Sequence, residues 1–160
     1  MEQGWELFRD KDVFGLGNRY VLGDVMDDAV DNEASQLLDG KMDVVWCGAV
    51  VHQFDRRGQI KACKRLLRFT SGSGALVIGI LIGHPEAGEV QMPGGDGKVR
   101  PWRNNVESLR EIWEETGREA EVEVKVEVEW KEWEEMGCER ERCLVMGEGT
   151  GALEFTVFVL

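Results

Sequence analysis

The stretch that decides the fold is Asp43-Val44-Val45-Trp46-Cys47-Gly48-Ala49-Val50-Val51, residues 43–51. Apart from Asp43 and Gly48, every side chain in it is apolar. A nearly unbroken apolar run of this length predicts a strand buried on both faces, which is typical of a parallel sheet covered by helices. A second run of this kind occupies residues 75–82, so we expect two neighbouring parallel strands.

The segment between the two runs has the spacing of an amphipathic helix. Asp55 is a candidate N-cap, and Ile60, Cys63 and Leu67 recur on one side of the helix that would follow it. Strand, helix and second strand together form the crossover unit that joins parallel strands. The cationic residues of this segment also have helical spacing, which is typical of a solvated helix face; they are Arg57, Lys61, Lys64 and Arg68.

The rest of the chain predicts shorter elements. Patterning and turn residues indicate helices over 5–14, 34–38 and 106–116 and strands over 19–25, 121–130 and 153–160. Gly40 and Gly117 are placed to stop the second and third of these helices. Apolar and charged residues alternate over 121–130, which predicts a half-exposed edge strand. We therefore expect an α/β fold with helices on both faces of the sheet and a closing hairpin or long crossover at one edge.

Size and charge limit the function. A chain of 160 residues with a net charge of −12 fits one domain, and residues 107–160 alone hold 16 acidic against 6 basic side chains. Such an acidic half repels phosphate backbones, so nucleic acid is not the expected partner. No apolar run is long enough to span a membrane and the first residues lack a signal-peptide layout. The four cysteines lack metal-site spacing, so we expect no metal, reduced thiols and a cytoplasmic location.

Residues just past the strands are the candidates for a ligand site, because α/β sheets bind ligands beyond the carboxyl ends of their strands. Asp24 followed by Val25 and Met26 could clamp a nucleoside, the carboxylate accepting from an exocyclic amine; Asp24 could equally be a turn acid. His52 could act as a base near neutral pH or serve only in packing. Trp102 beside Arg103 could wall a pocket.

Three segments carry a family resemblance: Asp43–Phe54, Gln59–Leu67 and Arg103–Leu109. Together they resemble the class I S-adenosylmethionine-dependent methyltransferases of fungal meroterpenoid and related secondary-metabolite pathways. That family has a strand ending in His-x-Phe, a helix of the type QxKAxKRL, a GxxxGE loop and a helix that begins RHNVES. Gly83, Gly88 and Glu89 match the GxxxGE loop except that their spacing is one residue longer. Asn104 stands where the RHNVES helix start has histidine.

The resemblance implies a cofactor, S-adenosyl-L-methionine, and roles for particular residues. Asp24, Val25 and Met26 would lie at the adenine, and Cys47 and Gly48 beside the methionine part. His52 would be catalytic and would face the acceptor together with Arg103 and Asn105; Trp102, next to Arg103, is added to the acceptor side by its place in the chain. The implied reaction is methylation of a carboxyl or hydroxyl oxygen on a terpenoid or polyketide, with a small-molecule acceptor as the partner and a homodimer as an open option.

The resemblance does not include the amino-terminal part of the family's domain. The family begins with a strand and a glycine-rich turn for the cofactor, followed by a second strand, and residues 1–160 match only what comes after them. The expected fold is therefore a partial Rossmann-like sheet with an antiparallel closing strand, in a single domain that corresponds to the carboxyl-terminal portion of a methyltransferase. The alternative is a truncated, non-catalytic fragment or pseudoenzyme that acts by binding a partner.

Overall fold

The computed structural model describes residues 21–27, 29, 32–91, 100–138 and 147–160. Within these ranges the chain forms three α-helices and six strands, with a 3₁₀ turn at Val51–Gln53. The helices are α1 (Glu33–Leu38), α2 (Arg56–Phe69) and α3 (Val106–Ala120). The strands are β1 (Val44–Gly48), β2 (Leu76–Gly83), β3 (Gly88–Glu89), β4 (Trp102–Arg103), β5 (Val124–Lys131) and β6 (Gly151–Val159).

The main sheet has four strands in the order β1-β2-β6-β5. β1 runs parallel to β2, with Val44 opposite Leu76 and Gly48 opposite Ile80. β6 lies between β2 and β5 and is antiparallel to both, which explains why its apolar side chains are buried although it is the last strand in sequence. β3 and β4 form a separate two-stranded ribbon. The predicted α/β class, the parallel pair and the antiparallel closing strand are confirmed.

Helices α2 and α3 pack on the same face of this sheet and bury the core. Trp113 of α3 is fully buried, and its ring lies 5.4 Å from that of Phe155 on β6. α2 contributes Ile60 and Cys63 to the same apolar cluster. Asp55 caps α2 as expected, accepting a 2.6 Å hydrogen bond from the Gly58 N–H. The helix pair therefore holds the carboxyl ends of β1 and β2 at a fixed place.

Strand β1, the first of the two apolar runs, is not buried on both faces. Val45 and Cys47 point into the core, whereas Val44 is 53% and Trp46 65% exposed. In the described part of the chain β1 is an edge strand, and the side of the sheet that carries Val44 and Trp46 is left open. The apolar run correctly predicted a strand, but the prediction of burial assumed neighbours that the described residues do not supply.

Within the described residues, the backbone of β1 is paired only on the side that faces β2. The Ala49 N–H donates to the Ile80 carbonyl at 2.8 Å, and the Asp43 carbonyl accepts from the Leu76 N–H at 2.9 Å. Successive peptide groups of a strand alternate in direction, so those of Val44, Trp46 and Gly48 point away from β2. An open edge of this kind is a template for a further strand.

The prediction of a strand over 19–25 is wrong for residues 21–25, the part of this range that the structure describes. Residues 21–24 have no regular structure, and Val25 and Met26 form a turn. Asp24 Oδ1 accepts a 2.8 Å hydrogen bond from the Met26 N–H, and the Asp27 N–H donates to the Asp24 carbonyl at 3.0 Å. Local side-chain capping by Asp24 thus outweighs the apolar pattern before it. The helix predicted over 5–14 lies outside the described residues.

Helix α3 does not end at Gly117 but continues to Ala120. The glycine serves close packing instead: a Cβ at Gly117 would lie 2.8 Å from the Val122 carbonyl oxygen. Gly40, by contrast, follows α1 with φ at +69°, as a helix-stopping glycine should. The thiols of Cys47 and Cys63 are free and buried, but Cys138 is disulfide-bonded, so the prediction of reduced thiols fails at that position.

Candidate functional site

The carboxyl ends of β1 and β2 meet at one edge of the sheet because the two strands are parallel. Beyond β1 the chain turns sharply at Ala49, which has φ at +55°, and enters the 3₁₀ turn that carries His52. A non-glycine residue in this conformation is strained by about 1 kcal/mol, and such strain clusters at functional sites. The edge beyond β1 is therefore the first place to look for chemistry.

His52 has a side chain suited to accepting a proton. Burial lowers the pKa of His52 below its ordinary value of 6.5, because desolvation disfavours the charged ring. Its Nδ1 atom is buried and makes no hydrogen bond within the described part of the chain. A neutral, unpartnered imidazole nitrogen can act as a general base or bind a ligand donor.

Trp102 is brought to the same edge by the chain that precedes α3. Its backbone N–H donates a 2.9 Å hydrogen bond to the carbonyl of Phe54, two residues after His52. The indole Nε1–H is buried and, like Nδ1 of His52, has no hydrogen-bond partner in the ranges that the structure covers. Unsatisfied buried polar groups are rare in folded proteins, and here two of them lie in segments that the Phe54–Trp102 hydrogen bond joins.

A buried amide pair holds this arrangement together. Gln59 and Asn104 are both fully buried, and the Asn104 Nδ2–H donates to Gln59 Oε1 at 2.7 Å. Gln59 Nε2 donates to the carbonyls of Trp102, at 2.7 Å, and Phe54, at 3.1 Å. This pair was missed in the sequence. A polar residue at 59, on the helix face that carries Cys63, was the available signal.

The two remaining acceptor candidates flank Asn104. Asn105 is the N-cap of α3: its Oδ1 accepts from the Ser108 N–H at 2.8 Å and its Nδ2 donates to the Pro85 carbonyl at 3.3 Å. Arg103 is half-buried and pairs in β4 with Gly88. The Asn105 side chain is thus already engaged in helix capping, whereas Arg103 faces the segment before β6, where its guanidinium approaches Gly147.

The five cofactor candidates lie in two different settings. The Asp24 side chain is exposed and closes its own turn, and Met26 lines a cavity along α2 that Asp55 also lines. Cys47 points into the core, where burial raises the pKa of its thiol, and its peptide groups point towards β2. Gly48 is half-buried beside the indole of Trp46, and Val25 lies in the turn beside Asp24.

Among the described residues, no group of three or more histidine, cysteine, aspartate or glutamate side chains could hold a metal ion. Among the same residues, no helix is both long enough and apolar enough to cross a membrane.

Comparison with known proteins finds relatives that are similar to this chain in sequence. No protein-family model matches the chain. It is 35% identical over 83% of its length to the O-methyltransferase phiE of a fungal species (strain ATCC 74256). It is 33% identical over its whole length to the O-methyltransferase atr3 of Stereocaulon alpinum. The chain spans 44% of the length of each of these relatives.

Solved structures give the fold. The [4+2]-cyclase SpnF matches 94% of this chain and is itself covered to 60%, with a TM-score of 0.55 and 14% identity. PigF, solved with S-adenosylhomocysteine, matches 100% of this chain and is covered to 46%, with a TM-score of 0.52 and 14% identity. The chain thus has the Rossmann-like fold of the class I S-adenosylmethionine-dependent methyltransferases and is similar in sequence to fungal O-methyltransferases over 44% of their length.

Proposed function

We propose that this chain takes part in S-adenosylmethionine-dependent O-methylation of a small molecule. The similarity to two O-methyltransferases, 33–35% identical over 83–100% of the chain, carries the proposal. The fold alone would not, since one of its structural neighbours is a cyclase. The family resemblance narrows the acceptor to a carboxyl or hydroxyl oxygen of a fungal terpenoid or polyketide.

The cofactor side of the proposal depends on Asp24. Its Oδ1 is engaged by the Met26 N–H, while the exposed carboxylate keeps Oδ2 without a hydrogen bond in the described part of the chain. That oxygen can accept from the exocyclic amine of an adenine, and Val25 and Met26 offer apolar flanks for the ring. The backbone of Gly48, which follows Cys47 at the end of β1 and points away from β2, would meet the methionine part. The available donors and acceptors therefore fit the group.

When bound, S-adenosylmethionine would supply a methyl group activated by its sulfonium for transfer to an acceptor oxygen. His52, neutral because it is buried, is the candidate base for the proton of a phenolic or alcoholic acceptor. The Trp102 ring would form a wall beside the acceptor, and Arg103 would offer a cation to a carboxylate. A carboxylate acceptor is already ionised and does not need the base.

A methyl-transfer assay tests the proposal. The purified chain is incubated with S-adenosylmethionine labelled in the methyl group and a panel of phenolic and carboxylic terpenoid–polyketide compounds. We expect label in at least one acceptor, with the new methyl on oxygen. His52→Ala should abolish transfer to phenols but spare cofactor binding, whereas transfer to carboxylates should persist. Absence of transfer to every acceptor by the folded chain contradicts a catalytic role.

The second candidate is a non-catalytic methyltransferase-like chain that binds a partner. The open edge of β1 favours it, because exposed Trp46 and Val44 and outward-pointing peptide groups suit the addition of a strand. In that case the folded chain would bind no S-adenosylhomocysteine, and Trp46→Lys would abolish its association with the partner. If the chain is catalytic, Trp46→Lys would leave methyl transfer and its dependence on pH through His52 unchanged.

A further inference from the structure

Two side chains that carry hydrogen-bond donors, those of His84 and Arg103, reach the same turn, formed by residues 147–150. A Cβ placed on Gly149 would lie 3.2 Å from His84 Nε2, and a Cβ placed on Gly147 would lie 3.6 Å from an Arg103 guanidinium nitrogen. The two glycines are separated by a single residue, so the imidazole and the guanidinium approach neighbouring points of one short backbone segment.

The backbone also keeps these two side chains close to each other. His84 is the residue after β2, and its N–H donates to the Asn104 carbonyl at 2.8 Å. Gly83 and Asn104, the neighbours of His84 and Arg103 in the chain, form a parallel β-bridge. Arg103 itself follows Trp102, so this corner adjoins the candidate acceptor edge.

The 147–150 turn is fixed from the side of the core. The buried Thr150 donates its hydroxyl hydrogen to the Gly147 carbonyl at 2.7 Å and accepts from Trp133 Nε1 at 3.3 Å. Gly147 and Gly149 have φ at +107° and +71°, conformations that favour glycine. The turn therefore approaches His84 with its backbone alone and forms a rigid wall.

His84 presents a hydrogen-bond donor at this wall. The Glu86 N–H donates to His84 Nδ1 at 3.0 Å, so in the neutral ring the proton lies on Nε2. In the charged ring Nδ1–H faces the Glu86 carbonyl at 3.1 Å, and Nε2 keeps its proton. Nε2 makes no hydrogen bond with a described residue and is not one of their buried, unpaired polar atoms, so a ligand can reach it.

The Arg103 guanidinium is available as well. It is half-buried and makes no hydrogen bond or ion pair with any residue that the structure describes. Arg100, three residues earlier, is instead exposed and pairs with Glu89 at 3.6 Å. Glu148, within the turn, is exposed and makes no ion pair with a described residue. Arg103 thus keeps its planar fork of donors for a ligand oxygen.

These donors fit a carboxylate. An arginine fork binds both oxygens of a carboxylate, and a histidine N–H adds a further hydrogen bond to one of them. Residues 107–160 hold 16 acidic against 6 basic side chains, and their field opposes a doubly charged phosphate more than a singly charged carboxylate. We propose that His84 is a specificity-determining residue, which together with Arg103 binds a carboxylate of the acceptor against the 147–150 turn. The identity of this ligand as the methyl acceptor rests on the proposed function.

The test is a titration of the full chain with salicylate, without cofactor, followed by calorimetry and by the NMR signals of the His84 ring and the Arg103 Nε–H. We expect saturable binding of one salicylate per chain and a shift of both signals. Methyl salicylate has the same ring without the negative charge and should bind about tenfold more weakly or worse.

Matched variants separate the two side chains from general charge effects. Arg103→Gln should weaken salicylate binding about tenfold or more, because it removes a charge-assisted pair. His84→Phe keeps an aromatic ring but lacks Nε2, and should weaken binding by about three- to tenfold. Arg100→Gln removes the same charge as Arg103→Gln from an exposed ion pair and should bind normally. In methyl transfer, His84→Phe should raise KM for acceptors with a carboxylate and leave KM for plain phenols unchanged.

Three results would overturn the proposal. The first is that salicylate leaves the His84 or the Arg103 signal of the wild-type chain unmoved, a readout that needs no variant to fold. The second is equal binding of salicylate and its methyl ester. The third is equal weakening in Arg100→Gln and Arg103→Gln, which would mean nonspecific attraction. A chain that binds salicylate in this way but transfers no methyl group keeps the carboxylate site and loses the proposed function. Transfer to plain phenols with both signals unmoved by salicylate keeps the function and loses the site.

Discussion

The side-chain amide of Asn104 donates a 2.7 Å hydrogen bond to Oε1 of Gln59, and neither residue is exposed to solvent. Through its own amide Gln59 also donates to the carbonyls of Phe54 and Trp102. One side chain of α2 therefore joins the loop after β1 to the ribbon before α3. Those two segments carry His52 and Trp102, so Gln59 positions the acceptor side of the proposed site.

Replacing Gln59 by leucine should destabilise the fold markedly. The substitution leaves the Trp102 carbonyl and the Asn104 amide without their partner, while the Phe54 carbonyl keeps the Trp102 N–H. We expect the free energy of unfolding to fall by about 3 kcal/mol. Urea unfolding measures it. Gln53→Leu is the matched control, because Gln53 is exposed and makes a single hydrogen bond to the Ala49 carbonyl; it should cost less than about 1 kcal/mol. Equal losses in the two variants would contradict this account.

His52 should make stability depend on pH. Burial holds the pKa of His52 in the folded chain below 6.5, so on lowering the pH the unfolded chain binds this proton first. The free energy of unfolding should therefore be highest above pH 6.5 and fall as the pH drops below it. Urea unfolding across this range measures the slope.

The variant His52→Gln should remove the part of the pH dependence of the free energy of unfolding that comes from this imidazole. The neighbouring Gln53→Leu should leave that pH dependence unchanged. An identical pH dependence in wild type and His52→Gln would show that the imidazole is not desolvated in the folded chain.

Trp46 should tolerate a charge. Since its side chain is 65% exposed at the open edge of β1, Trp46→Lys should change the free energy of unfolding by less than about 0.5 kcal/mol. It should also reduce self-association through that edge, because an edge lysine disfavours strand addition. Unfolding in urea and sedimentation velocity measure the two effects. Trp113→Ala, in the core, should cost about 3–5 kcal/mol; a similar cost at Trp46 would mean that this edge is covered.

Sequence patterning predicted the elements that depend on local chemistry. The capping aspartate of α2, the period of its buried face and the apolar run of β2 all identify their structures, because each signal is contained within a few residues. The burial of β1 could not be predicted in this way. Whether Val44 and Trp46 are covered depends on what pairs with the other side of the strand, which no local pattern records.

The residues of the candidate site were likewise predicted only in part. His52 and Trp102 were found from their places in the chain, and the structure brings both to the end of β1. Gln59 was missed because a polar residue within an amphipathic helix looks like part of the solvated face until its partners are known. For Asp24, both open interpretations remain compatible with the structure, since a carboxylate that closes a turn through one oxygen can bind a ligand through the other.

The central claim, that this chain holds the adenine end of S-adenosylmethionine through Asp24, is tested most directly by calorimetric titration with S-adenosylhomocysteine. We predict one site with a Kd below about 1 mM, weakened by about 1–3 kcal/mol in Asp24→Asn, which keeps the turn but loses the second carboxylate oxygen. Asp27→Asn, in the same segment and with a similar turn bond to the Ala29 N–H, should bind as the wild type does. No binding by the folded chain, or equal weakening in the two variants, would contradict the claim.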